Sequence, residues 1–492
     1  MLILCNHQLS RSILPEQSSM AEHKTNLHIA MFPWLAFGHI LPFLQLSKSL
    51  AQKGHHISFI STQRNLQRLP KIPPNLSPSL KLIPFPLPHI PNLPQNAECT
   101  ADVTPEQGQF LWEALDSLEE PLTKFLEDYR PDWIIYDFAT HWLPPIAVKF
   151  DIPCVYFNIF NASMIAYYGS ASEMLREDGG SRLIPEDFIV PPKWIPFSSN
   201  LALHFHEAPK RGALLKRNKS KSPVYRLGTA IQGCEFMAVR SCIEFEGEWL
   251  RLLENELCLK PAIPVGLLPP PILQDSGVEV DERWLSIKKW LDKQRERSVV
   301  YVAFGSESSL TQHQVTELAL GLEISELPFF WVLRTPHVTN FLENELSMLL
   351  PTGFEDRVKD RGFITMDWVP QLSILAHRSV GSFLTHGGWS SIIEGLGYGL
   401  RLILLPLSPP QALNARVLVS KNIGLEIPRN ERDGSFTRDS VAESVKVVMV
   451  HKEGELLGTK AMEMKKIFGD EERQERYMDN FDRFLREYKR CS

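Results

Sequence analysis

A turn of small and polar residues in the second half of the chain has the composition of a phosphate-binding site. The apolar segment 380–385 leads into the turn 386–391 (HGGWSS), and a helical pattern follows. A turn between a strand and a helix presents unpaired backbone N–H groups, which bind anions such as phosphate. The two serines add hydroxyl donors, and His386 adds a ring donor. Glu394, one helical turn later, can accept hydrogen bonds from sugar hydroxyls, as the acidic residue of a dinucleotide fold does from ribose.

A histidine and an aspartate in the first half could supply acid–base chemistry. His39 comes after the apolar run 27–32 and a loop, and Asp137 directly follows the apolar run 133–136. Such runs are typical of buried parallel strands, whose carboxyl ends meet at one edge of a sheet. His39 can take a proton from a hydroxyl group, and a carboxylate on its other ring nitrogen would fix the tautomer. Asp137 could also cap the helix that follows it, and the two roles can coexist.

The segment 368–411 resembles the signature box of the plant uridine-diphosphate-sugar (UDP-sugar) glycosyltransferases of family 1. It spans 44 residues (411 − 368 + 1), which is the family length. Many matches at fixed spacing are a stronger signal than a lone glycine motif. The stretches FPWLAFGHILPF, RPDWIIYDFATHWLP and SIKKWLDKQRERSVVYVAFGSE also match, so the resemblance covers nearly the whole chain from about residue 27. The matching positions of the box are Trp368, Pro370, Gln371, His377, Gly381, Phe383, His386, Gly388, Trp389, Ser391, Glu394, Gly399, Pro406 and Gln411.

The resemblance implies how this segment would hold the nucleotide. Trp368 would stack its ring on uracil, with Gln371 nearby, and such stacking is worth roughly 1–3 kcal/mol. Glu394 would accept hydrogen bonds from the ribose hydroxyls. The predicted UDP-sugar site comprises Ser306, Trp368, Val369, Gln371, His386, Gly388, Trp389, Ser390, Ser391, Glu394 and Gln411.

The resemblance also implies how the diphosphate and the donor sugar would be bound. His386, Ser391 and Ser306 would contact the diphosphate together with the backbone of the turn. The dipole of the following helix would favour the negative leaving group. Trp389 and Gln411 would face the donor sugar. No metal is needed for this chemistry, and the sequence contains neither a paired-aspartate motif of the DxD kind nor a His/Cys cluster with metal-ligand spacing.

The signature segment departs from the family pattern at four positions. Pro410 stands where the family usually carries Asp or Glu, and Ser390 stands where it usually carries Asn. Gly387 and Arg401 replace a common Cys and a common Pro. The family's acid binds hydroxyls of the hexose, and its loss costs on the order of 1–3 kcal/mol in a site built for that bond. Two outcomes follow from the missing acid. Either the donor is a different sugar, such as rhamnose or xylose, or a hexose bound in another way, or the activity is low.

Two βαβ patterns separated by a proline-rich segment predict an α/β protein with two domains, as its 492 residues also suggest. The resemblance implies the GT-B fold, in which two Rossmann-like domains face each other across a cleft and the last helix crosses back to the first domain. The predicted division is a disordered tail at 1–26, an acceptor-binding domain at 27–260, a linker at 261–283, a UDP-sugar-binding domain at 284–469 and a final helix at 470–492.

Composition limits the class of protein. The net charge of −6 provides no general basic field for nucleic acid, and the short basic run 210–221 is typical of a solvated loop. The seven cysteines are odd in number and lack CxxC spacing, which predicts a reducing compartment, the cytoplasm, without disulfides or zinc. No apolar run approaches the roughly 20 residues that span a bilayer, so we expect no membrane anchor. We also expect a monomer, and translation could begin at Met1 or at Met20.

The combined prediction is an inverting, metal-independent UDP-glycosyltransferase of the hexosyl- or rhamnosyltransferase kind, with a UDP-sugar as co-substrate and no bound cofactor. The resemblance is to the plant subfamily that glycosylates glycosides and specialised metabolites of the flavonoid and terpenoid type and often extends sugar chains. The match around His39 favours a catalytic base over a surface-loop histidine, with Asp137 as its partner. Two alternatives stay open from the sequence: a UDP-sugar epimerase on the same fold, and a UDP-sugar-binding protein with little turnover.

Overall fold

Two parallel β-sheets, one in each half of the chain, organise this computed structural model. It describes residues 26–176, 180–208, 222–270, 282–305, 310–334 and 345–491. The predicted tail apart from Asn26, the whole basic run 210–221, and Ser306 of the predicted diphosphate site lie outside the described residues. Within them, the predicted α/β class with two sheet-centred domains is confirmed.

The sheet of the N-terminal domain has seven parallel strands in the order β3-β2-β1-β4-β5-β6-β7. Successive residues of β1 join cores on opposite faces of the sheet: Ala30 and Phe32 on one face, Ile29 and Met31 on the other. This burial on both faces explains why central strands such as β4 (WIIY) are continuous apolar runs. The strands are β1 His28–Phe32, β2 His56–Thr62, β3 Leu80–Phe85, β4 Trp133–Tyr136, β5 Cys154–Asn158, β6 Phe236–Val239 and β7 Ala262–Pro264.

Strand β7 corrects one part of the predicted linker. The linker was expected to begin at residue 261 because the sequence there is rich in proline, yet β7 pairs with β6 in parallel register from Met237 opposite Ala262. An edge strand tolerates proline because one of its sides needs no ladder hydrogen bonds. Residues 262–264 therefore belong to the first sheet, and the other domain boundaries stay predictions.

The helices of the N-terminal domain cover both faces of this sheet. The helices are α1 Phe37–Gln52, α2 Gln63–Gln67, α3 Gly108–Asp116, α4 Glu119–Tyr129, α5 Leu143–Lys149, α6 Ala162–Tyr168, α7 Ala171–Met174, α8 Pro185–Phe188, α9 Pro223–Gly233 and α10 Ile243–Leu252, with a 3₁₀ turn at Thr100–Asp102 and a π-helical turn at Leu253–Leu257. Two of these helices, α3 and α4, follow each other closely between residues 108 and 129.

The sheet of the C-terminal domain has six parallel strands in the order β10-β9-β8-β11-β12-β13. Strand β11, which leads into the turn 386–391, is paired with β8 and β12 and is buried along its whole length. The strands are β8 Val299–Ala303, β9 Phe329–Val332, β10 Gly362–Thr365, β11 Val380–Thr385, β12 Arg401–Leu404 and β13 Gly424–Glu426. The helices are α11 Glu282–Asp292, α12 Gln312–Ser325, α13 Glu345–Leu349, α14 Phe354–Val358, α15 Gln371–Leu375, α16 Trp389–Gly397, α17 Pro409–Ser420, α18 Arg438–Met449, α19 Glu453–Phe468 and α20 Glu471–Cys491.

The last helix, α20, returns to the N-terminal sheet as the sequence predicted. Its apolar residues recur at helical spacing, and the ring of Phe484 lies edge-on to Phe236 of β6 at 4.7 Å between centroids. Tyr488 packs against Trp133 of β4 at 5.6 Å, and Phe481 is fully buried. The first and last parts of the chain are therefore joined in one core.

Candidate active site between the two domains

His39 and Asp137 lie side by side at the carboxyl edge of the N-terminal sheet. His39 is in the first turn of α1, which follows β1, and Asp137 directly follows the neighbouring strand β4. Nδ1 of His39 is 2.8 Å from Oδ2 of Asp137. The backbone N–H groups of Trp34 and Phe138 donate to the same carboxylate at 3.1 and 2.8 Å. The carboxylate is thus held by donors on both oxygens, and it orients the histidine ring with Nε2 directed away from it.

Aromatic rings surround the open side of His39. The rings of Phe138 and Phe160 lie 5.6 and 5.4 Å from the imidazole, between centroids. Behind them, Trp34 and Trp112 stack at 3.9 Å. The histidine side chain is still 12% exposed, so a small molecule lying against these rings can reach Nε2.

The turn 386–391, which we call the phosphate turn, connects buried β11 to α16. Gly388 is the N-cap of α16 and Gly387 has a φ of +80°. A Cβ on Gly388 would lie 2.6 Å from Nε2 of His386, which is too close for any other residue without movement of the ring. The first backbone N–H groups of α16 have no acceptor within the helix. The turn therefore offers the unpaired backbone donors on which the predicted anion site depends.

His386 is a neutral member of this turn. Burial lowers its pKa to about 4, so the ring carries no charge at neutral pH. Its Nδ1 lies 3.2 Å from Oγ1 of Thr385. A neutral imidazole offers one donor and one acceptor, so His386 can hydrogen-bond a phosphate oxygen but adds no positive charge.

The predicted uracil and ribose residues are brought together on the same side of the turn. Nε2 of Gln371 donates to Oε2 of Glu394 at 2.6 Å, and the Tyr301 hydroxyl donates to Oε1 of Gln371 at 3.1 Å. Burial raises the pKa of Glu394, and the hydrogen bond from Gln371 acts in the opposite direction. Trp368 is 66% exposed, so its ring is accessible to a base, and Val369 beside it is buried.

Trp389 requires a correction. Its side chain was expected to face the donor sugar, but it is buried between the domains, where Nε1 donates to the backbone carbonyl of Arg240 at 2.8 Å. The indole packs against Phe245 at 5.7 Å and Phe468 at 6.2 Å, between centroids. The reason is that the first turn of α16 faces the N-terminal domain, and an apolar ring with one donor is stabilised there by burial and one hydrogen bond.

Gln411 and Pro410 lie in the first turn of α17. Oε1 of Gln411 accepts from the backbone N–H groups of Leu407 and Ser408 at 2.8 and 3.1 Å. This capping contact uses the oxygen of the carboxamide that was expected to face the donor sugar. Prolines are tolerated in the first helical turn because their missing N–H would be unpaired there anyway, so Pro410 fits the helix without strain on the fold.

Three polar residues that the sequence did not single out connect the phosphate turn to the N-terminal domain. Nη1 of Arg240 donates to Oγ of Ser390 at 2.8 Å. Nδ2 of Asn414 donates to the Gly387 carbonyl at 2.9 Å, and Nδ2 of Asn161 donates to Oδ1 of Asn414 at 2.9 Å. One signal for Arg240 was present, since it directly follows β6 at the carboxyl edge of the sheet, like Asp137 after β4.

These contacts link the base to the turn. Phe160, whose ring contacts His39, precedes Asn161 in the chain, and Asn161 reaches the phosphate turn through Asn414. His39 and the phosphate turn are therefore separated by a short series of direct contacts across the domain boundary. Ser391, in the first turn of α16, is buried with 9% exposure.

The described residues contain no group of three or more His, Cys, Asp or Glu side chains that could hold a metal ion. In the same part of the chain, no helix combines the length and apolarity that crossing a membrane requires.

Comparison with known proteins decides the family. The family described as UDP-glucoronosyl and UDP-glucosyl transferase matches residues 270–473. UDP-glycosyltransferase 91C1 of Arabidopsis thaliana is 49% identical over 461 residues, covering 94% of this chain and 96% of that protein. The chain belongs to the plant family 1 UDP-glycosyltransferases. This glycosyltransferase is also 39% identical to soyasaponin III rhamnosyltransferase of Glycine max over 467 residues, with 94% and 96% of the two chains covered.

The fold of the glycosyltransferase agrees with solved relatives. The structure of Phytolacca americana UGT2 complexed with UDP-2fluoro-glucose and pterostilbene is similar with a TM-score of 0.66 and 25% identity, over 90% of this chain and 94% of that one. The predicted GT-B fold is therefore confirmed.

Proposed function

We propose that this glycosyltransferase transfers a sugar from a UDP-sugar to a hydroxyl group of a small specialised metabolite or its glycoside, with inversion at the anomeric carbon and without a metal ion. The observation that supports the proposal most strongly is the His39–Asp137 pair. It is linked by direct contacts to an anion-binding turn in the opposite domain. This arrangement supplies a base for the acceptor and a site for the leaving group.

His39 acts as the base. Because Nδ1 faces the Asp137 carboxylate, Nε2 presents its lone pair to the acceptor hydroxyl. As the acceptor oxygen bonds to the anomeric carbon, its proton passes to Nε2, and the bond between that carbon and the diphosphate oxygen breaks. The electron pair leaves with UDP. Attack on the face opposite the leaving group inverts the anomeric centre, and Asp137 stabilises the imidazolium that forms.

The phosphate turn stabilises the leaving diphosphate. The unpaired N–H groups and the dipole of α16 act on its negative charge, and the neutral His386 ring adds a donor without charge. Glu394 and Gln371 hold the ribose and uracil from the same helix and its neighbour. Trp368 is exposed enough to stack on the base. The Ser306 turn belongs to the predicted site but lies outside the described residues.

The acceptor lies against the aromatic wall in front of His39. Trp112 stacks on the buried ring of Trp34, and Phe138 lies edge-on to Trp112 at 5.9 Å between centroids. These rings form an apolar aromatic wall, which suits a flavonoid or terpenoid ring system. Two relatives carry names that specify rhamnosyl transfer, one of them to an anthocyanidin-3-O-glucoside. We therefore include acceptors that already carry a sugar, so that the reaction extends a sugar chain.

The donor sugar is decided near Pro410. Proline offers neither an acceptor nor an N–H, so a hexose hydroxyl has no partner in its side chain. UDP-rhamnose is favoured over UDP-glucose on this ground, and the names of the two rhamnosyltransferase relatives point the same way.

A donor panel with a base variant tests the proposal. UDP-rhamnose, UDP-glucose, UDP-xylose and UDP-galactose are each incubated with pooled flavonoid and terpenoid glycosides, and products are read by mass. His39→Ala should lower kcat by about 10²–10⁴-fold while UDP affinity stays within about twofold of wild type. His313→Ala, on the exposed face of α12, is the matched control and should keep wild-type turnover.

Three outcomes would count against the proposal. Near wild-type turnover by His39→Ala would remove His39 as the base. An epimerised UDP-sugar without any acceptor product would favour an epimerase. UDP binding without consumption of any donor would indicate a binding protein.

A further inference from the structure

The guanidinium of Arg240 lies buried between the domains, and each of its three nitrogens donates to a neutral oxygen. Nε donates to the Leu267 carbonyl at 2.8 Å and Nη2 to the Leu268 carbonyl at 3.2 Å. Nη1 donates to Oγ of Ser390 in the phosphate turn at 2.8 Å. Arg240 is 2% exposed. Among the residues that the structure describes, this guanidinium forms no ion pair with a carboxylate.

Other buried arginines at the domain boundary have carboxylate partners. Arg416 and Arg429 both pair with Glu207 of the N-terminal domain. A buried charge without a directly paired counter-charge is costly, because neutral hydrogen-bond acceptors replace its hydration only in part. The charge of Glu394 acts on the Arg240 guanidinium without forming an ion pair with it, so an anion bound in the phosphate turn would supply a directly paired counter-charge.

The hydroxyl of Ser390 connects the Arg240 guanidinium to the phosphate turn. A guanidinium can only donate, so Ser390 Oγ must accept, and its own proton is then directed elsewhere. Ser390 is in the first turn of α16, where backbone N–H groups lack intrahelical acceptors. A hydroxyl that accepts from a cation is polarised and becomes a stronger donor. The Ser390 hydroxyl and the backbone therefore offer converging donors to one anion.

We propose that Arg240 is a positioning residue for the diphosphate: its N–H orients the Ser390 hydroxyl toward the phosphate oxygens, and its charge stabilises the leaving group from the opposite domain. This deepens the proposed function and rests on it, since it assumes that the diphosphate binds in the phosphate turn. It also accounts for Ser390, because a short hydroxyl fits between a guanidinium and an anion where the family usually carries asparagine.

Two features of the surroundings hold Arg240 in place. Its backbone carbonyl accepts the indole N–H of Trp389 at 2.8 Å. The main chain of Arg240 therefore contacts Trp389, and its side chain contacts the next residue of the turn, Ser390. The following residue, Ser241, donates to the buried carboxylate of Glu246 at 2.6 Å. Burial lowers the pKa of Arg240 to about 10, and the charge of Glu394 acts in the opposite direction. The side chain is therefore still a cation at neutral pH.

Binding of UDP and of uridine to the full chain separates this role from a merely structural one. Isothermal titration calorimetry gives both affinities for wild type and for Arg240→Met, which keeps the length of the side chain and removes its charge. We expect UDP affinity to fall by about 10- to 100-fold and uridine affinity to stay within about twofold. Arg240→Lys should recover part of the loss, because it restores the charge without the fork of donors.

Ser390 variants test the hydrogen bond itself. Ser390→Ala should weaken UDP by about three- to tenfold with uridine unchanged, and the double variant should bind UDP no more weakly than Arg240→Met alone. Ser390→Asn should lose less than Ser390→Ala, because a carboxamide can accept from Arg240 and donate to phosphate. Arg416→Met removes a buried arginine from another point of the same boundary, and as the control it should weaken UDP and uridine by the same factor or by none.

The outcomes are distinguishable. Equal losses of UDP and uridine in Arg240→Met, or no loss of either, would overturn the role of Arg240 and leave the proposed function intact. If Arg240→Met does not fold, the UDP-to-uridine ratio of Arg240→Lys and Ser390→Ala decides the question, and an unchanged ratio in both rejects the proposal. Failure of the wild-type chain to bind UDP at all would instead reject the proposed donor site.

Discussion

Among the polar contacts between the N-terminal and C-terminal domains, two differ in how a buried charge is paired. At the first, the Arg240 guanidinium meets only neutral oxygens, including Oγ of Ser390. At the second, which we call the charge cluster, Glu207 of the N-terminal domain pairs with two arginines of the C-terminal domain, and Glu426 joins them. The cluster comprises Glu207, Arg416, Glu426 and Arg429.

This difference distinguishes the charge cluster, which stabilises the fold, from the Arg240 contact, which can also act on a ligand. In the charge cluster, burial alone would raise the pKa of Glu207, but Arg416 and the N–H of His204 lower it below its ordinary value. The charges of the cluster neutralise one another, so no unpaired charge remains there to bind a ligand. Around Arg240 the positive charge has no such partner among the described residues, so it can act on an anion.

Glu207→Gln should cause the largest loss of stability. It leaves Arg416 and Arg429 buried with one carboxylate, Glu426, between them, and breaking a buried pair from one side costs about 3–5 kcal/mol. Urea denaturation measures the free energy of unfolding. Glu463→Gln, from an exposed pair with Lys460, is the control and should change it by less than about 0.5 kcal/mol. A comparable change in the free energy of unfolding of both variants would show that the charge cluster contributes no more to stability than an exposed ion pair.

Acid should weaken the phosphate turn through His386. The unfolded chain takes up this proton near pH 6.5, whereas the folded state takes it up only near pH 4. Between these values the unfolded state binds more protons, so stability falls as the pH falls, by about 3 kcal/mol in total. Urea denaturation at pH 7 and pH 4.5 measures the loss, and His386→Gln should lose correspondingly less. Equal losses in wild type and variant would refute this assignment.

The charge cluster should respond to acid at lower pH. Because the pKa of Glu207 is depressed in the folded state, its contribution is present above the ordinary pKa of a glutamate and is lost as the pH falls below that value. In a Glu207→Gln background, the part of the acid sensitivity below about pH 4.5 should shrink while the part above it stays. Loss of the upper part instead would contradict the division between the two contacts.

Asn414→Ala should have an intermediate effect on stability. It leaves the Gly387 carbonyl and the Asn161 amide without their partner, which costs about 1–3 kcal/mol, and it should raise the KM for the donor because the turn is less well held. Asn414→Asp keeps an acceptor for Asn161 but cannot donate to Gly387, so it tests the two sides separately. Asn480→Ala, exposed on α20, is the control. A donor KM identical to wild type in Asn414→Ala would mean that the turn does not depend on this bridge.

Pro410→Asp should change stability least and donor preference most. An acid in the first turn of α17 interacts favourably with the helix dipole, so stability should change by no more than about 1 kcal/mol. The new carboxylate can accept from hexose hydroxyls, and the ratio of kcat/KM for UDP-glucose over UDP-rhamnose should rise by about tenfold. An unchanged ratio would place donor selection elsewhere.

Much of the fold was readable because its signals are local. Buried parallel strands are short apolar runs, and β1 and β4 lie within a residue of the positions that the runs 27–32 and 133–136 indicate. Strand β10 was not predicted, since its residues are only half-buried at the sheet edge and show neither a continuous apolar run nor alternation. Strand β7 was read as linker because edge strands tolerate the prolines that normally end a strand.

The turn, the helix after it and the residue types at 386–394 follow from local sequence, because spacing along one helix and one turn sets their relative geometry. The sequence also indicated that His39 and Asp137 end strands of one sheet. Three other features depend on how the two domains pack: Trp389 faces Arg240 rather than a sugar, Ser390 accepts from a buried guanidinium, and Asn161 and Asn414 bridge the domains. These contacts join residues that are 149, 150 and 253 positions apart, and no local pattern encodes a partner at that separation.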